Sequence, residues 1–77
     1  MEKKITTLGD YLLKKRTKLG FSQADVGRKM GYTTGQFISN WERNLAMPPV
    51  AVLKKLAGIY KLDNEELFKC LLQINIF

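Results

Sequence analysis

The 77-residue sequence contains no histidine and only one cysteine, Cys70. The missing histidines remove the most common general base and metal ligand, and with them serine–histidine and cysteine–histidine catalytic pairs. A single cysteine cannot form an internal disulfide, which is typical of proteins from a reducing compartment. The seven carboxylates form no motif with metal-ligand spacing. The sequence therefore argues against an enzyme and predicts no cofactor, no metal and no small-molecule ligand.

Long apolar runs are also missing. No stretch approaches the roughly eighteen consecutive apolar residues of a transmembrane helix, and the N-terminus lacks the apolar run of a signal peptide. We therefore expect a cytoplasmic protein without a membrane partner. The length predicts one domain over residues 1–77, near the lower limit for a self-sustaining core.

Positive charge is in excess. Thirteen lysines and arginines against seven acidic residues give a formal charge of +6 and a pI near 9.7. This balance favours a polyanionic partner, nucleic acid first and an anionic membrane surface second. A solvated positive face without a dedicated ligand is the alternative.

A helical period of apolar residues can be followed along almost the whole chain, interrupted by only two prolines and six glycines. It predicts an all-α fold, a compact orthogonal bundle of five helices at about 7–19, 22–30, 34–43, 49–60 and 63–73. The closing residues 74–77 alternate more like a strand or an irregular tail and are a candidate dimer contact.

The apolar positions predict which side of each helix is buried. Phe37 and Trp41 belong to the predicted inward stripe of the third helix, Val50 to that of the fourth, and Phe68 and Leu72 to that of the fifth. For Phe37, an exposed ring that contacts a thymine methyl group is the alternative.

The second and third helices are short and are joined by a few residues around Gly31. A pair of this kind suits DNA reading, because the first helix lies across the phosphate backbone while the second enters the major groove, about 12 Å wide. Glycine supplies the backbone freedom that the bend requires.

Residues 21–31 (FSQADVGRKMG) and 38–43 (ISNWER) resemble the phage-repressor and Cro type of helix-turn-helix, the XRE-like family. The pair Pro48 and Pro49 and the leucine-rich fourth helix extend the resemblance over residues 8 to 68. It implies a lambda-repressor-like fold in which helices 2 and 3 form the helix-turn-helix. It also implies a bacterial or phage-encoded protein that binds double-stranded DNA as a homodimer.

If the apolar stripe of the third helix faces inward, three polar side chains face outward: Gln36, Ser39 and Asn40. Glutamine and asparagine can pair bidentately with adenine, and serine donates or accepts. The resemblance places base contacts at the same positions. Thr33 and Thr34 both qualify as N-caps of this helix, and a capping box from Thr33 to Gln36 is the competing use of the Gln36 amide.

The residues predicted to contact phosphates are Gln23, Thr33, Thr34, Arg43 and Asn44. Gln23 lies in the first turn of the second helix, where family members touch a phosphate and where free N–H groups favour anions. An ordinary exposed glutamine is the alternative. Phosphate contacts add affinity without sequence information and weaken with salt.

The resemblance further implies an ion pair between Arg16 and Glu42 that fixes the reading helix; two independent surface charges are the alternative. The sequence departs from the family pattern in the turn, residues 31–35, which is one residue longer than usual. Gly35 stands where many members place a base-reading side chain, and Asn44 replaces a glycine. Gly27 occupies a position that is kept small.

Two functions remain in competition. The first is sequence-specific binding of double-stranded DNA by a small transcriptional regulator, a dimeric repressor reading a pseudo-palindromic operator through the major groove. The second is a protein-interaction adaptor that keeps the fold without specific DNA recognition. The fifth helix and tail, residues 70–77, either form the dimer surface or complete the monomer core.

Overall fold

The computed structural model describes residues 7–75, with side chains as far as residue 72. Within this part the chain forms five α-helices and no strand: α1 (Leu8–Lys18), α2 (Gln23–Met30), α3 (Gln36–Glu42), α4 (Val50–Tyr60) and α5 (Asn64–Asn75). The predicted all-α, five-helix fold is confirmed.

The first two helices start at side-chain caps. Thr7 is the N-cap of α1, and its hydroxyl accepts a hydrogen bond from Asp10 N at 3.1 Å. Ser22 caps α2 in a reciprocal capping box with Asp25. Gly31 ends α2 in the left-handed region, at φ +87°. Both helix starts are thus fixed by contacts within three residues of the chain.

The start of α3 differs from the prediction. The helix begins at Gln36 rather than at residue 34, and its N-cap is Gly35. Thr34 instead closes a short turn, in which its hydroxyl accepts from Gln36 N at 3.1 Å. The predicted N-caps Thr33 and Thr34 are therefore both wrong, because the turn continues through Gly35 and the helix starts two residues later than predicted.

All five helices contribute to the core. Its buried apolar side chains are Leu8, Tyr11, Leu12, Val26, Met30, Ile38, Trp41, Leu53, Leu56, Tyr60 and Cys70. Helix α3 packs against both α1 and α2, while α5 packs against α1. One side of α3 therefore packs on α1 and α2, and its other side faces solvent.

In α4 and α5, three residues predicted to be buried are exposed. Val50 is 74% exposed because it is the first residue of α4, one turn before the core residue Leu53. Phe68 and Leu72, four residues apart, share the side of α5 opposite to the buried Cys70 and are 60% and 46% exposed. The apolar residues of α5 thus occupy two faces, only one of which packs on the core.

Helix α5 continues to Asn75, so residues 74 and 75 of the predicted tail are helical; residues 76–77 lie outside the described part. None of the helices described has the length and apolar character needed to cross a membrane.

Candidate nucleic-acid interface

Glycines let the start of α2 and the turn before α3 approach each other closely. A Cβ atom on Gly35 would lie 2.7 Å from the carbonyl carbon of Gln23, and a Cβ on Gly27 would overlap the carbonyl oxygen of Thr34. Such contacts with backbone atoms leave no room for a side chain at either position. The absence of a base-reading side chain at position 35 therefore has a packing cause, since the longer turn lies directly against α2.

A buried ion pair connects α1 to the end of α3. The Nε atom of Arg16 donates to Glu42 Oε2 at 2.6 Å, and a second guanidinium nitrogen donates to Glu42 Oε1 at 3.0 Å. The third guanidinium nitrogen donates to the carbonyl of Phe21 at 2.8 Å. The hydrogen bond with Glu42 raises the pKa of Arg16. The bidentate geometry fixes the direction of α3 as well as its position.

Gln23 joins the same network. Its amide nitrogen donates to Glu42 Oε1 at 2.9 Å. The Glu42 carboxylate, at the end of α3, therefore binds both Arg16 of α1 and Gln23 at the start of α2. Gln23, which was predicted to contact a phosphate, is thus half-buried and uses one amide hydrogen in a bond within the protein. Sequence analysis did not predict this contact, because no local spacing connects residues that are 19 positions apart.

The outward side of α3 carries a polar row formed by Gln36, Asn40 and Arg43. The Oδ1 atom of Asn40 accepts from Gln36 Nε2 at 3.0 Å and from Arg43 at 3.2 Å. Buried residues of the same helix, Ile38 and Trp41, lie on the opposite side. Two of the three predicted base-contacting residues, Gln36 and Asn40, are therefore held next to each other at the surface.

Ser39, the third of these, lies to one side of the polar row. It is half-buried and lines a depression of about 370 Å³ between α2 and α3, whose other walls are Gln23, Ala24, Thr34, Gly35 and Gln36. The depression therefore brings residues that were predicted to contact bases next to residues that were predicted to contact phosphates. Thr33 is exposed in the turn but does not line it.

The prediction that Phe37 belongs to the core is wrong. Its side chain is 53% exposed, next to Gln36 on the other side of the polar row. The cause is Glu42, because each helical residue advances by about 100° and a buried Glu42 rotates the centre of the buried side away from Phe37. The predicted ion pair between Arg16 and Glu42 implied that Glu42 is buried, and this could have shown that Phe37 lies at the edge of the buried side of α3.

Asn44, predicted to contact a phosphate, holds the start of α1 against the end of α3. Its Oδ1 atom accepts from Gly9 N at 3.0 Å, and its Nδ2 atom donates to the hydroxyl of Thr7 at 3.1 Å. Asn44 adopts φ +58°, a conformation that asparagine tolerates better than most residues. A Cβ on Gly9 would lie 2.6 Å from the carbonyl oxygen of Glu42, a close approach that sequence analysis missed.

The positively charged side chains around the site differ in whether they already have partners within the protein. Arg28 pairs with Asp25 at 2.6 Å, and Lys29 lies over the ring of Phe21, so both have partners within the protein. Arg43 is exposed at the end of the polar row. Within residues 7–72, no group of three or more cysteine or carboxylate side chains is placed to hold a metal ion.

Comparison with known proteins agrees with this geometry. The model of a family described as helix-turn-helix matches residues 12–67, which include all of α2, α3 and α4. No curated protein matches the sequence. The chain therefore belongs to the helix-turn-helix family of the Cro and XRE type, whose members bind DNA and regulate transcription.

Proposed function

We propose that the chain is a dimeric repressor that reads a pseudo-palindromic operator by placing α3 in the major groove of double-stranded DNA. The observation that carries the proposal is the polar row of Gln36, Asn40 and Arg43 on the outward side of a helix that is anchored on its other side. A helix with this division fits a groove about 12 Å wide, whose floor presents hydrogen-bonding groups.

The polar row has the chemistry needed for base contacts. Asn40 uses its Oδ1 atom within the row, and the described residues leave its amide hydrogens and the Oε1 atom of Gln36 available. A donor beside an acceptor complements adenine, which presents the N7 acceptor and the N6 donor in the major groove. The hydroxyl of Ser39 adds a group that donates or accepts. We assign the base contacts to these three residues.

The phosphate contacts are assigned to residues around the polar row. Arg43 is exposed and carries the charge that a phosphate attracts. Gln23, at the start of α2, and Thr34, in the turn, line the depression that contains Ser39, while Thr33 is exposed in the turn before Thr34. Asn44 retains one amide hydrogen after its bonds to Thr7 and Gly9. These contacts would set the register of α3 without reading sequence.

The dimer is assigned to the exposed side of α5. Phe68 and Leu72 leave apolar surface there, while Cys70 packs into the core. One face of α5 thus completes the monomer core, and the opposite face is available to a second copy of the chain. A two-fold dimer places the two copies of α3 one turn of DNA apart, about 34 Å. The cytoplasmic setting and the bacterial or phage origin stay predictions.

Binding-site selection from random duplex DNA tests the proposal. We expect an inverted repeat whose half-sites lie about one helical turn apart. A folded protein that enriches no motif, and binds all DNA weakly with a steep salt dependence, would contradict the proposal and favour the adaptor function. Pull-down of a protein partner is then the next experiment.

Two variants separate base contacts from phosphate contacts. Asn40→Ala should relax the selected motif at one position per half-site, with a loss of about 1–3 kcal/mol for the preferred base. Arg43→Ala should keep the motif, bind all sequences more weakly and lower the log–log salt slope by about 0.9 per half-site. Lys55→Ala, an exposed lysine on α4, is the control with neither effect. An unchanged motif with Asn40→Ala would refute the assigned orientation of α3.

The dimer surface is tested by sedimentation of a double variant, Phe68→Ser with Leu72→Ser. We expect a folded monomer that still binds single half-sites but loses most of its affinity for the full operator. The matched control is Leu13→Ser on α1, another exposed leucine, which should leave the dimer intact. A double variant that stays dimeric would show that the copies meet elsewhere.

A further inference from the structure

Phe37 is an apolar side chain at the edge of a polar surface. It lies on α3 directly after Gln36, and more than half of its surface is exposed. Burial stabilises only the covered part of the ring, so packing of the monomer does not explain the half of it that lies in solvent. Its place beside the polar row points to a contact with something outside the described residues.

The ring is held in place by two other aromatic side chains. Its centroid lies 4.9 Å from that of the half-buried Tyr32 and 6.2 Å from that of the buried Trp41, and the planes of Phe37 and Trp41 meet at 26°. The three rings form a series from the core to the surface, with Phe37 outermost. Because the two neighbouring rings restrict the rotation of Phe37, a partner that touches it has less side-chain entropy to remove.

The major groove offers one apolar group to such a ring. Thymine carries a C5-methyl group on its major-groove edge, beside the hydrogen-bonding atoms that polar side chains read. A helix that places Gln36 and Asn40 on base edges brings Phe37 to the same groove surface, one residue along. No other large exposed apolar side chain belongs to α3.

We propose that Phe37 reads a thymine in each half-site through an apolar contact with its C5-methyl group. The inference rests on the proposed function and extends it. Gln36, Ser39 and Asn40 read polar edges, and Phe37 adds one position at which methylation of the pyrimidine ring is recognised. The operator should therefore contain a thymine whose methyl group matters beside the position read by Asn40.

The test replaces each thymine of the selected operator in turn by uracil, which pairs identically but lacks the methyl group. For the unmodified protein, we expect one substitution per half-site to weaken binding by about fourfold, the factor that corresponds to burial of one methyl group. All other uracil substitutions should be neutral. The readout is the dissociation constant at fixed salt.

Three variants assign the effect to the ring. Phe37→Ala should bind the thymine and uracil operators equally, at the weaker affinity, and Phe37→Leu should keep part of the difference. Leu13→Ala, at an exposed apolar residue of α1 away from the polar row and the dimer surface, should retain the full difference between the two operators. Because Phe37 is exposed, its variants should keep the helical circular dichroism of the unmodified protein.

Each contrary result has a distinct meaning. A selected motif whose thymines can all be replaced by uracil without loss would overturn this inference and leave the proposed function standing. A Phe37→Ala protein that sediments as a monomer would show that the ring contacts a second copy, which also overturns it. A protein that enriches no motif would contradict the proposed function, and this inference with it.

Discussion

The first three helices and the last two are held by different kinds of contact. In residues 7–44, buried or partly buried polar groups connect the helices, through Arg16, Gln23, Glu42 and Asn44. In residues 45–72, apolar packing dominates, and five of the eight large exposed apolar side chains of the described part lie there: Leu45, Met47, Val50, Phe68 and Leu72. Directional bonds fix the orientation of α3, whereas the second region leaves apolar surface uncovered.

The joint between α1 and α5 shows the contrast most directly. Glu66 accepts from the hydroxyl of Tyr11 at 3.1 Å and lies 3.6 Å from Lys15 Nζ. Burial, reinforced by the hydrogen bond to Glu66, raises the pKa of Tyr11 to about 12. Half of the Glu66 side chain is in solvent, however, while that of Glu42 is buried. Water can replace the partners of Glu66 but not those of Glu42.

The largest difference in stability between the two regions should come from removing the carboxylate charge of Glu42 or of Glu66. Glu42→Gln leaves the buried Arg16 without a counter-charge and should lower the free energy of unfolding by about 3–5 kcal/mol. Glu66→Gln should cost less than about 1 kcal/mol, since its ion pair is exposed. Urea denaturation measures both. Equal losses for the two variants would remove the distinction between the joints.

Adding a methyl group to a glycine in each region should act in opposite directions. Gly35→Ala forces the turn away from Gln23 and should destabilise the fold by about 1–3 kcal/mol, the usual cost of overpacking. Gly58→Ala, inside α4 and with no atom within 4 Å of where the added methyl group would lie, should stabilise by about 0.5–1 kcal/mol. Thermal unfolding followed by circular dichroism gives the sign of each change. A stabilising Gly35→Ala would contradict the close approach of the turn to α2.

Residues 7–75 include two non-glycine residues with positive φ, one in each region, and these also differ. Asn44→Ala loses the bonds to Gly9 and Thr7 and places alanine at φ +58°, so we expect a loss of about 1–2 kcal/mol. Lys61→Ala, at φ +54° after α4, replaces one strained side chain by another and should change stability by less than about 0.5 kcal/mol. Similar losses from denaturant midpoints would assign the effect of Asn44 to backbone strain alone.

The smallest effect concerns pH and the cap of α2. Hydrogen bonds from Ser22 lower the pKa of Asp25 below its ordinary value of 3.8. The stabilisation from this carboxylate is therefore present above that value and is lost as the pH falls through the lower pKa of the folded state. The difference in unfolding free energy between the protein and Asp25→Asn should shrink on acidification below about pH 4. A difference that is independent of pH would show that the capping box adds nothing measurable.

Much of the fold follows from local sequence signals, whereas the site follows from them only in part. The caps at Thr7 and Ser22 and the end of α2 at Gly31 depend on neighbours within four residues. The placement of Gln36 and Asn40 on the outward side of α3 needed only the helical period. Four inward assignments were wrong, because the period shows which residues share a face but not where the core ends. These are Phe37, Val50, Phe68 and Leu72.

The sequence by itself determined that the chain is helical, basic and of the helix-turn-helix type, since each of these follows from composition or from short spacing. Tertiary structure decided how the reading helix is held. Glu42 gathers Arg16 and Gln23 across 26 and 19 positions of the chain, and Asn44 reaches Gly9 across 35. Such contacts depend on the packing of three helices at once, and that packing also left Phe37 at the surface beside the polar row.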